Sequence, residues 1–257
     1  MPHHPDRLLP LQGASNFRDL GGYRSADGRS VRWRRLFRSD HLAGLSAQDV
    51  AQLQALGLSR SFDLRGRRER AAQGYALPGV RVQPLPIEPT VVQGLQALRE
   101  RGEALTAAHT AQLMRETYRA FVTDNSQRFA ELFAHLLADD APAVVHCTAG
   151  KDRTGFAVAL LLRALDVPHE TVMQDYLLTN RHYRMPTAYA DSAPPEVLRV
   201  LWQVQEDFLH AAFAAVERDY GSLDAYFARA LALTPTARAR LAQMYLQAPG
   251  DTSKKGA

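Results

Sequence analysis

The ten residues His146-Cys147-Thr148-Ala149-Gly150-Lys151-Asp152-Arg153-Thr154-Gly155 constrain this chain more than any other stretch. Ahead of them runs Pro142-Ala143-Val144-Val145, a short apolar and partly β-branched segment that reads as a buried strand. Behind them, Phe156 to Leu165 is apolar almost all the way round, the pattern of a buried rather than a surface helix. A strand, a tight turn and a helix start aim several backbone N–H groups and the positive helix end at one point. Such a point binds an anion, and Cys147, the only cysteine in 257 residues, opens the turn.

The chemistry follows from the anion site. The thiolate, not the thiol, is the nucleophile, and helix N-termini and nearby cations both favour it. Arg153 carries a planar fork that can hold two phosphate oxygens at once, and Lys151 adds a point charge. The backbone of Thr148, Ala149 and Gly150 completes the cradle, and the Thr154 hydroxyl can bond the sulfur when it leaves in a second step. This set specifies nucleophilic attack on a phosphate monoester. A nucleotide-binding P-loop would need glycine where Val145 stands and Ser or Thr where Asp152 stands, so that reading fails. A merely structural buried cysteine is the usual fate of the residue. It leaves the crowding of Lys151, Asp152 and Arg153 on one turn unexplained.

Cys-five residues-Arg resembles the phosphate loop of the protein tyrosine phosphatase superfamily. The longer His-Cys-x-x-Gly-Lys-Asp-Arg-Thr-Gly is similar to that of the bacterial tyrosine/serine phosphatases that also accept phosphoinositides. The likeness extends through Asn16-Phe17-Arg18-Asp19-Leu20-Gly21-Gly22, Phe62-Asp63-Leu64-Arg65 with Glu69, Asp175-Tyr176-Leu177-Leu178-Thr179-Asn180, and Tyr220-Gly221-Ser222-Leu223-Asp224-Ala225-Tyr226. It implies a phosphatase that needs no cofactor or metal. Cys147 attacks phosphorus, Arg153 and the loop amides hold the equatorial oxygens, and a carboxylic acid protonates the leaving oxygen. Water then hydrolyses the cysteinyl-phosphate.

Two aspartates are candidates for that acid. Asp63, at a strand end, corresponds to the aspartate that many tyrosine phosphatases bring on a separate loop. Asp152 sits beside the arginine, as in this subfamily's loop, and is the preferred choice. Lys151 matches a lysine of the tensin-type phosphoinositide phosphatases, whereas Thr148 stands where those enzymes usually have a second lysine. Phosphotyrosine, phosphoserine/threonine, phosphoinositides and small phosphate esters all remain open as substrates. The alternative function is a catalytically silent phosphate-binding pseudophosphatase, against which the joint retention of Cys147, Arg153 and Thr154 argues.

A net charge of +4 suits an anionic substrate. No helix-turn-helix, zinc-finger or ribonucleoprotein signature points to nucleic acid. One cysteine excludes an internal disulfide and any multi-cysteine metal site. No stretch reaches the roughly 18 apolar residues of a membrane span, and Met1 to Pro10 carry no signal-peptide pattern, so a cytoplasmic location is the expectation, with export by other routes left open. Oligomeric state is not readable.

Elsewhere the pattern predicts an α/β fold, a central and mostly parallel sheet flanked by helices. Val31 to Phe37 reads as one strand. Asn16, Arg18 and Asp19 read as a turn and an Arg–Asp pair closing the sheet edge. Ser46 and Asp49 open a helix that Gly57 ends. The strand through Asp63 carries Asp63 and Arg65 at its carboxyl end, where α/β ligand sites gather, so Arg65 is a candidate substrate ligand. The alternative there is an Asp63–Arg65 or Glu69–Arg65 ion pair fixing the turn, and Glu69 reads as structural. Val80 to Ile87, with Pro84 and Pro86, is an edge strand. Helices are expected over 90–101, 106–122, 126–138, from Pro168 to Leu178, over 196–218, and at the C-terminus. The expectation is one phosphatase domain over 1–250, with 181–217 a candidate lid and 251–257 a disordered tail.

Overall fold

The strand that delivers Cys147 is the middle of the sheet. In the computed structural model, which describes residues 4–189 and 192–248, β1 (Arg18–Asp19), β3 (Leu36–Ser39), β4 (Arg60–Asp63), β5 (Arg81–Pro84) and β6 (Ala143–His146) lie in the order β1-β3-β6-β4-β5. β1 is antiparallel to β3, and the other three pairings are parallel. Burial on both faces of this central strand is why Ala143-Val144-Val145 reads as an unbroken apolar run. Side chains alternate across the sheet. Leu36, Phe62, Ala143 and Val145 join the larger core on one face, and Phe37 and Val144 join a smaller core with Phe17, Leu53 and Leu58 on the other. Ser39 and Asp63 are both in register with His146, so the carboxyl ends finish level and Cys147 leaves at the rim they form.

The smaller core is covered by α1 (Ala47–Ala55), whose N-terminus is closed by a capping box between Ser46 and Asp49. α2 (Arg67–Ala72) follows β4, and α3 (Thr90–Glu100), α4 (Ala107–Thr123) and α5 (Ser126–Ala138) lie between β5 and β6. α6 (Asp152–Ala164) carries the catalytic loop's arginine, and eleven of its residues from Arg153 to Ala164 are buried. Phe156, on its first turn, packs its ring against Phe121 of α4 at 5.8 Å and Phe129 of α5 at 5.1 Å. Truncating such a ring costs about 3–5 kcal/mol, so the helix start is held firmly where the loop needs it. α7 (His169–Leu177), α8 (Thr179–His182), α9 (Pro195–Trp202), α10 (Glu206–Tyr220), α11 (Leu223–Arg229) and α12 (Pro235–Tyr245) complete the chain.

Two elements differ from the sequence reading. Val31 to Phe37 is not one strand: β2 (Ser30–Val31) pairs with β7 (Leu246–Gln247) in a separate small sheet, and β3 begins after a turn. At that turn Arg34 adopts a left-handed φ of 61°, fixed by donation of its N–H to the Asp19 carboxylate at 2.9 Å. The single helix expected over 196–218 is broken, because Gln203 and Gln205 are extended. Side chains take up backbone groups at the break. Asn180 accepts from Val204 N–H at 2.7 Å and donates to Val204 O at 2.8 Å, and the Gln203 carbonyl accepts from Lys151. Within the lid candidate, α10 buries Phe208, Leu209, Ala212 and Val216 in the larger core, and α9 buries Val197, Leu198 and Val200. The tail 251–257 lies outside the described residues.

Candidate active site

Cys147 opens the loop from the end of β6 and is 2 % exposed. α6 starts without a side-chain cap, and among the described residues the backbone N–H groups of Thr148, Ala149, Gly150 and Lys151 find no protein acceptor. Unpaired donors at a helix start are the makings of an anion cradle. The loop's outward-facing carbonyls, by contrast, are tied down. Thr148 O accepts from His41 N–H at 3.0 Å, and Gly150 O accepts from Arg38 at 2.8 Å and Asn16 at 3.3 Å. Gly150 has a φ of 62°, and a Cβ there would lie 2.3 Å from Ser39 O, so only glycine lets the loop pass this close to β3. Thr154 is fully buried, and its hydroxyl has no hydrogen-bond partner among the described residues.

Arg153 is braced from behind. Its guanidinium donates to both oxygens of Glu69, at 2.5 and 2.9 Å, and to Ile87 O at 3.0 Å. Glu69 also accepts from the Thr148 hydroxyl and from Gly66 N–H at 2.7 Å. Burial would raise the Glu69 pKa, but the bonds and charge of Arg153 outweigh it and hold the carboxyl below its ordinary value. Burial would lower the Arg153 pKa, and Glu69, with the Cys147 charge behind it, raises it instead. Glu69 therefore pairs with Arg153 and not with Arg65. It is the functional residue that sequence reasoning underrated, because its partner is distant in sequence.

The loop's own charged pair faces the helical side. Lys151, 2 % exposed, donates to Asp152 Oδ1 at 2.9 Å and to Gln203 O at 3.2 Å. Tyr118 donates to the same Oδ1 at 3.0 Å, and its hydroxyl lies 2.7 Å from that of Tyr176. Tyr176 also packs its ring over Gly155, where a Cβ would meet it at 3.0 Å.

Asp63 and Arg65 spend their charges on each other. Arg65 grips Asp63 with Nε at 2.9 Å and Nη2 at 2.8 Å, and its remaining arm donates to Gln73 O. Asp63 is 1 % exposed. Burial pushes its pKa up, and the hydrogen bonds from Arg65 outweigh that and bring it below the ordinary value. Next to this pair, burial lowers the His146 pKa to about 4, so the ring is neutral and bonds the Tyr75 hydroxyl at 2.6 Å.

The segment Asn16 to Asp19 forms a buttress rather than the expected Arg18–Asp19 pair. Arg18 bonds Asn16 and the Asp175 carbonyl. The Asp175 carboxylate accepts from Arg38 at 2.7 Å and Tyr23 at 2.8 Å. Burial opposes its ionisation, and the charges of Arg18 and Arg38 overcome that, holding it well below the usual carboxylate range. Asp19 instead accepts from the N–H groups of Gly21 and Arg34. Arg38 thus links a buried carboxylate on α7 to the carbonyl of Gly150 in the loop.

A thiol at the end of a central strand, ahead of an uncapped helix start and a carboxylate-braced arginine, defines a cysteine-dependent phosphatase. Comparison with known proteins says of which kind. A model described as "Tyrosine phosphatase family" matches residues 9–247, and the chain belongs to that family. A Cupriavidus necator protein carrying a provisional tyrosine-protein phosphatase name is 37 % identical over 232 residues, covering 87 % of this chain and 84 % of that one. The triple specificity protein phosphatase PtpB of Mycobacterium tuberculosis is 32 % identical over 255 residues, covering 84 % and 91 %. Among solved structures, TpbA of P. aeruginosa in complex with phosphotyrosine aligns at 17 % identity and a TM-score of 0.44, covering 90 % of this chain and 98 % of that one. The protein is a protein phosphatase. No helix among the described residues is long and apolar enough to cross a membrane.

Proposed function

We propose that the protein removes phosphate from phosphotyrosyl proteins in two steps at Cys147. The thiolate attacks phosphorus, the S–P bond forms as the P–O bond to the substrate breaks, and Asp152 gives its proton to the departing oxygen. Water then attacks the cysteinyl-phosphate, Asp152 takes the water's proton, and the sulfur leaves with the Thr154 hydroxyl free to bond it. Arg153 and the amides of Thr148 to Lys151 hold the equatorial oxygens throughout. The observation that carries this reading is the brace on Arg153. Its guanidinium is fixed by Glu69 and Ile87 O at the loop that Cys147 opens, so it meets the phosphoryl group already oriented.

Asp152 is favoured over Asp63 as the acid because its side chain is 23 % exposed at the loop, whereas Asp63 is sealed under Arg65. Arg65, committed to Asp63 and Gln73, acts as a support for β4 rather than as a substrate ligand. Phosphoserine/threonine and inositol-lipid substrates form a second reading, supported by the triple specificity named for the M. tuberculosis relative. The Lys151 ammonium bonds Asp152 and Gln203 O, which weakens its part in gripping an extra lipid phosphate. The test is kcat/KM side by side on a phosphotyrosyl peptide, a phosphoseryl peptide and a phosphoinositide, with Cys147→Ser as control. Preference for the phosphotyrosyl peptide is expected, and preference for the lipid would reverse the order. Turnover retained in Cys147→Ser would end the proposal.

A further inference from the structure

Tyr118 lies outside every motif that marks this chain as a phosphatase. It stands on α4, 34 residues before Asp152, with its ring among Phe121 at 5.1 Å and Phe208 at 6.0 Å. The ring is fully buried. A phenol hydroxyl placed there needs partners, since leaving it unmade costs more than a hydrogen bond gains. It has two, and their directions are fixed by counting protons. The hydroxyl proton goes to Asp152 Oδ1 at 3.0 Å, so in the 2.7 Å contact with Tyr176 the Tyr118 oxygen must accept. The result is a directed chain from Tyr176 to Tyr118 to Asp152. Burial first, and the Asp152 charge second, raise the pKa of both phenols well above the ordinary value, so both stay protonated donors at neutral pH.

Lys151 donates to that same oxygen at 2.9 Å. With two donors on Oδ1, a proton on the Asp152 carboxyl has room only on Oδ2. We propose that Tyr118 is a positioning residue for the general acid: with Lys151 it occupies Oδ1 of Asp152, and so makes Oδ2 the atom that gives the proton to the leaving group and takes it back from water. The inference rests on the reading of Asp152 as the acid. Around this carboxyl stand Lys151 and Arg153 on its own loop and helix, Tyr118 from α4 and Tyr176 from α7. The neutral Tyr118 donor can serve either form, because a carboxyl protonated on Oδ2 still offers Oδ1 as an acceptor. During turnover the Oδ2 proton moves to the ester oxygen as P–O breaks, and the attacking water returns one to Oδ2, so Tyr118 keeps its own proton.

The test compares kcat/KM, which reports the steps up to P–O cleavage and not the shared hydrolytic step, for Tyr118→Phe, Asp152→Asn and the double variant on an alkyl phosphate and on an activated aryl phosphate. Asp152→Asn should lose about 10²–10⁴-fold on the alkyl ester and be largely spared on the aryl ester. Tyr118→Phe, which keeps the ring, should lose roughly tenfold in kcat/KM on the alkyl ester, the equivalent of one hydrogen bond to a charged group. On the aryl ester kcat/KM should stay near the wild type, since that leaving group needs no proton and no phosphate ligand is removed. In the double variant the Tyr118 change should cost nothing further, because the carboxyl it orients is gone. Tyr176→Phe cuts the next bond of the chain and should show a smaller loss with the same ester selectivity. It serves as the second variant if Tyr118→Phe melts low. If Asp152→Asn is ester-selective and both phenol variants slow the two esters equally or not at all, the positioning role is overturned and the acid stands. If Asp152→Asn slows both esters equally, the acid reading fails and takes this inference with it.

Discussion

Glu69→Gln keeps the shape of the side chain that braces Arg153 and removes its charge. The wild-type guanidinium has two arms on this carboxylate, at 2.5 and 2.9 Å, and one on Ile87 O at 3.0 Å. In the variant, one carboxylate oxygen becomes an NH₂ group facing an N–H donor, so one arm is lost outright and the other becomes a neutral bond. A hydrogen bond to a charged group contributes about 1.5–3 kcal/mol. The Glu69 side chain is 24 % exposed and that of Arg153 10 %, so solvent screening favours the lower part of that range. If about 1.5–2 kcal/mol must be spent again to orient Arg153 in the transition state, kcat/KM falls roughly 10–30-fold. The assay is metal-free hydrolysis of an aryl phosphate, with the melting temperature followed in parallel. The pH dependence has a definite sign. The Glu69 pKa is depressed on folding, so the brace is present above the ordinary glutamate range and is lost as pH falls through the folded value. Wild type and variant should therefore differ by a constant factor at neutral pH and converge in acid. Kinetics within about twofold of wild type at neutral pH, a small fraction of one charged hydrogen bond, would refute the reasoning.

Three further outcomes follow from the same geometry. Asp175→Asn leaves Arg18 and Arg38 buried without their carboxylate and should cost about 3–5 kcal/mol in urea unfolding, with activity falling because Arg38 also holds Gly150 O. Gly150→Ala forces a Cβ to within 2.3 Å of Ser39 O at a φ of 62°, and should lower kcat about 10²-fold by displacing the loop while the melting temperature changes far less. His146 has its pKa lowered from 6.5 to about 4 by burial, so the unfolded chain binds the extra proton between those values and stability falls as pH drops through that window. The loss amounts to about 3 kcal/mol, and the wild-type advantage over His146→Gln in urea midpoint should shrink correspondingly between pH 7 and pH 4.

The loop and its two flanking elements were legible because strand, turn and helix start are local signals, and the central strand followed from the apolar run Ala143-Val144-Val145, which burial on both faces explains. The capping box at Ser46 and Asp49 was legible for the same reason. What escaped was non-local pairing. Arg18 and Asp19 are neighbours in sequence, but successive strand residues point to opposite faces, so Arg18 reaches Asp175 and Asp19 reaches Arg34. Glu69 finds Arg153 across 84 positions, and no spacing rule encodes that. The break at Gln203 carries no glycine or proline. It exists because Asn180 and Lys151 supply the backbone bonds that helix would have made. Tyr118 lies within the helix expected over 106–122 and carries no motif, and only its hydroxyl, seen against Asp152, marks it.

The central claim is that phosphate passes through the sulfur of Cys147. Acid quenching during the first turnovers of an aryl phosphate, followed by proteolysis and mass spectrometry, tests it directly. The account predicts one phosphoryl group on the peptide containing Cys147, more of it in Asp152→Asn, which slows the hydrolytic step, and none in Cys147→Ser. Phosphate on any other residue, or steady turnover with Cys147 unlabelled throughout, would contradict it.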